Sequence, residues 1–277
     1  MSEQDTNNEF EKKLLNDEIV NRTKRQEKIA EYLLQNSSVY VQELAKIFNV
    51  SSMTIHRDLD ELEKQGILRK VRGGATAQPS SLFESDFRYR LDFARNAKLA
   101  IARFAIRYIE PGQAIMMDDS TTTLTLAELV KDIQPLTVIT NSFPIIQELI
   151  QTKGIRLISL GGEYMPRYRA FTGMICEKAI SSLRANLLFM STSAVSDNIA
   201  FHQEQDIVKV KRAMMKSSAR KILLIDHSKL HKIALHHLAS LSEFDLVIVD
   251  GEVDSESLTI LNEAKVKVEI APINIDS

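Results

Sequence analysis

The stretch VYVQELAKIFNVSSMTIHRD, residues 39–58, determines the fold of the N-terminal part of this chain. Its apolar side chains recur at helical spacing in two separate runs, at Val41, Leu44, Ala45, Phe48, Ile55 and Leu59. The residues Asn49-Val50-Ser51 separate the runs and are few enough for a tight turn, and Ser51 or Ser52 can cap the second helix. The pattern therefore predicts a helix-turn-helix.

The second helix of this motif leaves a polar face for solvent when Ile55 and Leu59 are buried. Its first turn combines hydroxyl groups with unpaired backbone N–H groups and the positive end of the helix dipole, which suit phosphates and base edges. Arg57 can hydrogen-bond a guanine through two donors or hold a phosphate. We predict that this face contacts DNA through Ser51, Ser52, Met53, Thr54, His56 and Arg57.

The segment GILRKVRGGATA, residues 66–77, follows the helix-turn-helix. Gly66 is expected to end the helix, and the alternation of apolar and basic residues before a Gly-Gly pair predicts a short β-hairpin. A hairpin with several bases and no acid can grip the phosphate backbone as a wing. We predict that the wing binds DNA through Arg69, Lys70, Arg72, Gly73 and Gly74.

Net charge does not decide the question of DNA binding. The chain has a formal net charge of −2, and residues 25–76 contain eight basic and seven acidic side chains. These numbers also fit a three-helix bundle with a solvated, charged face. The spacing, the turn, the helix cap and the basic hairpin together favour the DNA-binding interpretation.

The regions on either side of the motif divide the chain further. Residues 1–21 contain six acids and two bases, which predicts a solvated acidic arm. Residues 22–77 are interpreted as a winged helix-turn-helix DNA-binding domain. Pro, Ser and mixed charge in residues 78–86 predict a linker, and residues 87–277 form the predicted α/β domain for effector binding and oligomerisation.

The C-terminal region alternates short apolar runs with amphipathic stretches. The apolar runs have the length of strands and span 114–118, 136–140, 156–160, 186–190, 221–225, 246–250 and 267–271. Strands that are apolar on both faces and alternate with helices are typical of a mostly parallel sheet covered on both sides. We therefore predict a Rossmann-like α/β fold for this region.

Polar side chains follow several of these runs. In such sheets, ligands bind outside the carboxyl ends of the strands, so we expect a ligand site there. A hydroxyl-rich loop that opens a helix can hold a phosphate, and lysines can balance its charge. The candidate effector-binding residues are Asp118, Ser120, Thr121, Thr122, Thr123, Thr140, Asn141, Ser142, Gly161, Gly162, Lys211 and Lys229. The alternatives are an ordinary helix cap, a strand-end turn and a solvated lysine.

Residues 25–75 also resemble a known family. The phrases V-x-E-L-A, V-S-x-x-T-I-x-R-D-L, L-E-x-Q-G and G-G-A stand at the intervals found in DeoR/GlpR-type bacterial repressors, and the resemblance continues through residues 82–272. It implies a C-terminal domain related to ribose-5-phosphate isomerase that senses phosphorylated sugars. It also implies phosphate-loop roles for Asp118, Thr121 and Thr122, and ligand-lining roles for Asn141, Gly161, Gly162, Lys211 and Lys229.

The sequence departs from the family pattern in three places. His56 stands where the family more often has arginine. Asp119 and Ser120 replace the Ser and Gly of the loop D-S-G-T-T, and residues 191–194 read S-T-S-A in place of G-A-D-G. A second carboxylate beside a phosphate would repel it unless Asp119 points away.

The composition predicts a cytoplasmic protein. The single cysteine, Cys176, favours a reducing compartment, and the polar start and the lack of an apolar run of about 20 residues argue against secretion or a membrane partner. We predict a transcriptional repressor of a carbohydrate operon, with no cofactor or metal. Its predicted partners are double-stranded operator DNA, a small anionic metabolite and further copies of itself, as a dimer or higher oligomer. The alternatives are a sugar-phosphate isomerase-type enzyme and a regulator whose C-terminal domain only oligomerises.

Overall fold

The protein divides into two compact units, Met1–Phe83 and Glu84–Ser277. The computed structural model describes residues 22, 25–26, 28–29, 32–33, 38–64, 68–77 and 87–273. The predicted acidic arm 1–21, the helix stop at Gly66 and the linker 78–86 lie outside the described residues.

The N-terminal unit is a winged helix-turn-helix. Its elements are β1 (Ser38–Tyr40), α1 (Val41–Ile47), α2 (Ser52–Lys64), β2 (Leu68–Val71) and β3 (Gly74–Ala77). β3 pairs antiparallel with both β1 and β2. The core contains Ile29 and Leu33 together with Leu44, Ile55 and Leu59, all almost completely buried. The predicted helix-turn-helix and its wing are confirmed.

The hairpin turn depends on its two glycines. Gly73 has a φ of +81°, a left-handed conformation that side chains rarely adopt. A Cβ added to Gly74 would lie 2.0 Å from the carbonyl oxygen of Val39 on the neighbouring strand. These two residues therefore shape the wing through their backbone, and Gly74 is buried.

The C-terminal unit contains a large sheet with helices on both faces. The sheet strands are β4 (Ala114–Met117), β5 (Leu136–Thr140), β6 (Ile155–Ser159), β9 (Ala185–Met190), β12 (Ser218–Ile225), β14 (Leu246–Asp250) and β15 (Val268–Ala271). The helices are α3 (Phe87–Asp92), α4 (Arg95–Ala105), α5 (Thr121–Leu129), α6 (Phe143–Leu149), α7 (Gly173–Ser181), α8 (Gln205–Lys216) and α9 (Ser255–Glu263). The remaining strands are β7 (Glu163–Met165), β8 (Ala170–Thr172), β10 (Ala194–Ser196), β11 (Ile199–His202) and β13 (His236–Ser240).

The order of the large sheet is β15-β14-β12-β9-β4-β5-β6, and every neighbouring pair is parallel. The chain moves outward from β4 in one direction, then returns to place β9 on the other side of β4. All seven predicted runs are strands of this sheet, so the predicted parallel α/β fold is confirmed. The three-stranded antiparallel sheet β10-β11-β13 and the antiparallel pair β7-β8 were not predicted, because short strands of mixed polarity give no clear period.

Alternate residues of each strand face opposite sides of the sheet, as the pleat requires. Met116 and Leu188 pack with α7, α8 and α9, and Cys176 lies buried in that cluster. Ile115 and Leu187 pack on the other side with α4, α5 and α6. None of the helices within the described ranges has the length and apolar character that a membrane span requires.

Candidate functional sites

The N-terminus of α2 is capped by Ser51. The Ser51 hydroxyl accepts a hydrogen bond from the Thr54 backbone N–H at 3.1 Å, and the two hydroxyl oxygens are 2.9 Å apart. Of the two predicted candidates, Ser51 therefore makes the cap, and Ser52 is the first residue of the helix. The cap fixes where the helix starts, and so which side chains face outward.

The outward face of α2 contains the residues that the helical period left for solvent. Ile55 and Leu59 are fully buried, whereas Met53 is 64% exposed. His56 and Arg57 are also exposed, and Thr54 is half-buried. A cation, an imidazole and a flexible apolar side chain thus share one accessible surface at the start of the helix, which suits contact with a groove of DNA.

One acid of α2 is turned inward. Asp58 is 1% exposed and accepts hydrogen bonds from Arg25, at 2.6 Å to Oδ2 and 3.3 Å to Oδ1. Gln26 donates to its Oδ1 at 3.0 Å. Asp58 therefore holds α2 against the preceding helical residues, and its negative charge does not lie on the exposed face.

The wing is tied to α2 by Lys70. Its backbone N–H donates to Glu63 Oε1 at 2.7 Å, and its ammonium group pairs with Asp60. The Lys70 charge is thus opposed by an acid, while Arg69 and Arg72 are exposed. The structure favours the two arginines over Lys70 as the side chains of the wing that are available to contact DNA phosphates.

A pocket lies at the carboxyl ends of β4, β9 and β12, where the strand order of the sheet reverses. Ligands bind at such switch points in open α/β sheets. The pocket is lined by Arg90, Phe93, Lys98, Ser120, Thr121, Thr122, Ser191, Thr192, Ser193, His202, Lys211, Asp226 and Lys229. Five predicted residues are among them: Ser120, Thr121, Thr122, Lys211 and Lys229.

Asp118 lies beneath this pocket and holds its floor together. Its Oδ1 accepts from the Ser120 N–H at 3.0 Å and from the Thr123 hydroxyl at 2.8 Å. Its Oδ2 accepts from the Ser191 N–H at 2.8 Å and pairs with Lys211. A carboxylate with all these partners is already satisfied, so Asp118 connects the loops after β4 and β9 to α8.

Lys211 is the buried counter-charge of this floor. It is 2% exposed and donates to the Ser191 carbonyl oxygen at 3.1 Å. Burial lowers the pKa of Lys211, but the Asp118 and Asp119 carboxylates raise it by more, so the pKa lies above its ordinary value. Because two carboxylates balance its charge, Lys211 attracts an anionic ligand less strongly than the sequence suggested.

Asp119 does not point to solvent. Its side chain is 1% exposed, and its Oδ1 lies 3.5 Å from Lys211 Nζ. The charge that was expected to repel a phosphate is thus opposed by a buried ammonium group. Asp119 is also absent from the residues that line the pocket.

The other predicted residues lie at neighbouring strand ends and do not line this pocket: Thr140, Asn141, Ser142, Gly161 and Gly162. Ser142 caps α6 by accepting from the Ile145 N–H. The Asn141 amide donates to the Phe171 carbonyl oxygen at 3.0 Å. The ends of β5 and β6 thus meet the β7–β8 hairpin, which the sequence patterns did not indicate.

Four lining residues were missed entirely: Arg90, Phe93, Lys98 and His202. His202 is buried, and its Nδ1 accepts from the Glu204 N–H at 3.1 Å. Burial and then the nearby Lys211 and Arg90 charges hold the pKa of His202 well below its ordinary value. The pocket therefore keeps this ring neutral and gathers its positive charge on the lysines and Arg90.

Comparison with known proteins places both units in one family. A model described as the DeoR C terminal sensor domain matches residues 94–251, and a model described as a DeoR-like helix-turn-helix domain matches residues 25–81. The chain belongs to the DeoR family. It is therefore a transcriptional regulator in which a DNA-binding domain precedes a sensor domain.

Relatives of this DeoR-family chain match over most of their length. The L-fucose operon activator of Haemophilus influenzae is 34% identical over 227 residues, which cover 82% of this chain and 91% of the relative. The lactose phosphotransferase system repressor of Staphylococcus epidermidis is 32% identical, covering 84% and 93%. Among solved structures, ribose 5-phosphate isomerase A from Methanocaldococcus jannaschii is 16% identical and matches 48% of this chain and 53% of its own, with a TM-score of 0.35.

Proposed function

We propose that this DeoR-family protein represses a carbohydrate-metabolism operon and responds to a small phosphorylated sugar or similar anion. The observation that carries the proposal is the hydroxyl-lined, cationic pocket at the switch point of the sensor sheet, in the same chain as an α2 helix with an exposed polar face. The relatives named for L-fucose and lactose systems support a sugar as the ligand class.

The DNA interface in this proposal is the outward face of α2 with the wing. Arg57 reads a base edge in the major groove, with Met53 and His56 beside it. Arg69 and Arg72 hold the phosphate backbone. Exposure of these side chains supports these roles, because base contacts specify a site and phosphate contacts position the protein on it.

The effector site in this proposal is the pocket of the sensor domain. Arg90, Lys98 and Lys229 supply positive charge, and the hydroxyls of Ser120 and Thr122 lie at the start of α5. The N-terminus of a helix adds backbone donors and a positive dipole end, which favour an anion. A phosphate beside hydroxyl groups, as in a sugar phosphate, matches these partners.

We propose that the pocket binds its ligand without converting it. An isomerase needs a general base. Asp226 is the carboxylate that lines the pocket, and one of its oxygens accepts from the Ser228 hydroxyl and N–H. Burial raises the pKa of Asp226, but Lys229 and the Ser228 hydrogen bond lower it by more, which makes this carboxylate a weak base.

We also propose that the protein works as a homodimer or higher oligomer. A single small DNA-binding domain with a nearly balanced charge binds DNA weakly. Linking two such domains raises the affinity, because the second domain binds at a high effective concentration. The operator is then repeated or palindromic. Light scattering should give a multiple of 31.3 kDa, and a monomer with and without DNA would contradict this.

The proposal is tested by two screens on the full chain. Selection from random DNA should yield two half-sites in fixed spacing. Thermal unfolding with a panel of sugar phosphates, each paired with its unphosphorylated sugar, should show stabilisation by a phosphorylated compound only, since ligands stabilise the state that they bind. No stabilisation by any phosphorylated compound would contradict the effector assignment.

A further inference from the structure

Arg90 has an unusual position in the sensor domain. It belongs to α3, the first described element after residues 78–86, and that segment joins the sensor domain to the DNA-binding domain in the sequence. Its side chain reaches the pocket, with the guanidinium carbon 5.4 Å from the centre of the Tyr168 ring and 5.9 Å from that of Phe87. One residue thus connects α3 to the proposed ligand.

The guanidinium of Arg90 has donors to offer. Among the described residues, its buried Nε and Nη2 have no hydrogen-bond partner. A buried donor without an acceptor is costly, and the planar fork of an arginine fits two oxygens of one phosphate or carboxylate. An anion in the pocket would supply the acceptors that this side chain lacks.

The backbone of Arg90 is also attached to the pocket. Its carbonyl oxygen accepts from the Thr121 hydroxyl at 3.1 Å and from the Lys98 ammonium group. Thr121 is the first residue of α5, and both donors line the pocket. Lys98 also donates to the carbonyl oxygen of Phe93 at 2.6 Å, just after α3 ends. Any ligand that moves or fixes these groups acts directly on α3.

We propose that Arg90 binds the anionic group of the effector and thereby fixes α3, so that binding is transmitted to the segment leading to the DNA-binding domain. This inference rests on the proposed function of the pocket. Lys229 holds the same anion from the loop after β12, and its ammonium group lies 5.9 Å from the centre of the Phe93 ring, just after α3. Arg90 and Lys229 therefore differ in role: both supply affinity, whereas Arg90 is itself a residue of α3.

Hydrogen exchange of the full chain, with inorganic phosphate as the probe, tests this difference. At saturating phosphate and matched ionic strength, exchange of the backbone amides of residues 87–93 should slow in the wild type. Arg90→Gln should weaken phosphate binding about tenfold or more, the scale of one lost charge-assisted bond, and should abolish the slowing. Lys229→Gln should weaken binding similarly but retain the slowing at saturation.

Two further variants control for charge and folding. Arg103→Gln removes an exposed charge from α4 and should leave both readouts unchanged. Arg90→Lys keeps the charge without the planar fork and should give an intermediate affinity, which tests the role even if Arg90→Gln unfolds.

The outcomes separate this inference from the function on which it rests. In one outcome, phosphate slows exchange at residues 119–123 in both the wild type and Arg90→Gln but leaves residues 87–93 unaffected in both. That result would overturn the role of Arg90 and would still support the anion site. If phosphate changes exchange nowhere in the pocket of the wild type, the anion site itself is wrong and the role of Arg90 falls with it.

Discussion

The two units arrange their functional charges in opposite ways. In the DNA-binding unit, Arg57 and Arg72 are exposed on the surface, and the buried Asp58 is paired with Arg25. The sensor unit turns its charges inward, with Lys211 buried between Asp118 and Asp119 beneath the pocket. An exposed charge can act on a binding partner and contributes little to the stability of the fold. A buried charge needs an opposite charge beside it in the folded state. The same residue type should therefore fail in different ways in the two units.

The largest expected effect tests the inward arrangement. Lys211→Met leaves two buried carboxylates without their cation, and we expect a loss of about 3–5 kcal/mol in the free energy of unfolding. Urea unfolding of the sensor domain measures it. Lys209→Met is the matched control, because Lys209 lies on the same helix and pairs with Asp206 at the surface. Equal losses in the two variants would show that Lys211 is not a structural counter-charge.

The next effect tests the outward arrangement. Arg57→Ala should weaken binding to selected DNA by about 1–3 kcal/mol, the size of one lost base contact, and should leave the free energy of unfolding almost unchanged. Fluorescence anisotropy titration measures the affinity, with Arg103→Ala as a control for loss of an exposed charge. Unchanged specific affinity would remove α2 from the interface.

A pH dependence tests the inward arrangement of the sensor unit again. The lowered pKa of His202 means that the unfolded chain binds the proton more tightly, so stability is lost as pH falls below about 6.5. His202→Gln should reduce this loss by up to about 1.4 kcal/mol for each pH unit. Urea unfolding at several pH values measures it, and His237→Gln, at an exposed histidine, should behave like the wild type. The idea fails if both variants keep the full acid sensitivity.

The smallest effect concerns the wing. Arg72→Ala removes a phosphate contact, so it should weaken binding evenly across DNA sequences and lower the slope of log affinity against log salt by about 1. Titrations at several salt concentrations give the slope. A change confined to one DNA sequence, with the slope unaltered, would instead indicate a base contact.

The sequence was most informative where function depends on a single helix or strand end. Burial of Ile55 and Leu59 leaves the opposite face of α2 exposed by geometry alone, so the residues of that face were predictable. Likewise, apolar runs predicted every strand of the large sheet, and its topology brought Ser120 and Lys229 together as expected.

The rest could not be predicted, because it depends on contacts between distant segments. Arg90 and His202 reach the pocket from α3 and β11, and neither lies in a motif or at a predicted strand end. Asp118 and Lys211 were both predicted as effector-binding residues, but only the structure shows that they form a buried ion pair that supports the pocket. The residue types at strand ends thus indicate where a site lies. Which of these side chains remain available to a ligand depends on the hydrogen bonds and ion pairs that they form within the protein.

We propose that a ligand in the sensor pocket controls the DNA affinity of the DNA-binding domain. The direct measurement is the Kd for selected DNA, for wild type and Lys229→Ala, with and without the sugar phosphate that most stabilises the protein. We predict that the ligand changes the wild-type Kd about 5–150-fold, the usual range of allosteric coupling. Lys229→Ala should keep the ligand-free Kd and lose the response. A wild-type Kd that no stabilising ligand changes, or a Lys229→Ala variant that responds like the wild type, would contradict the claim.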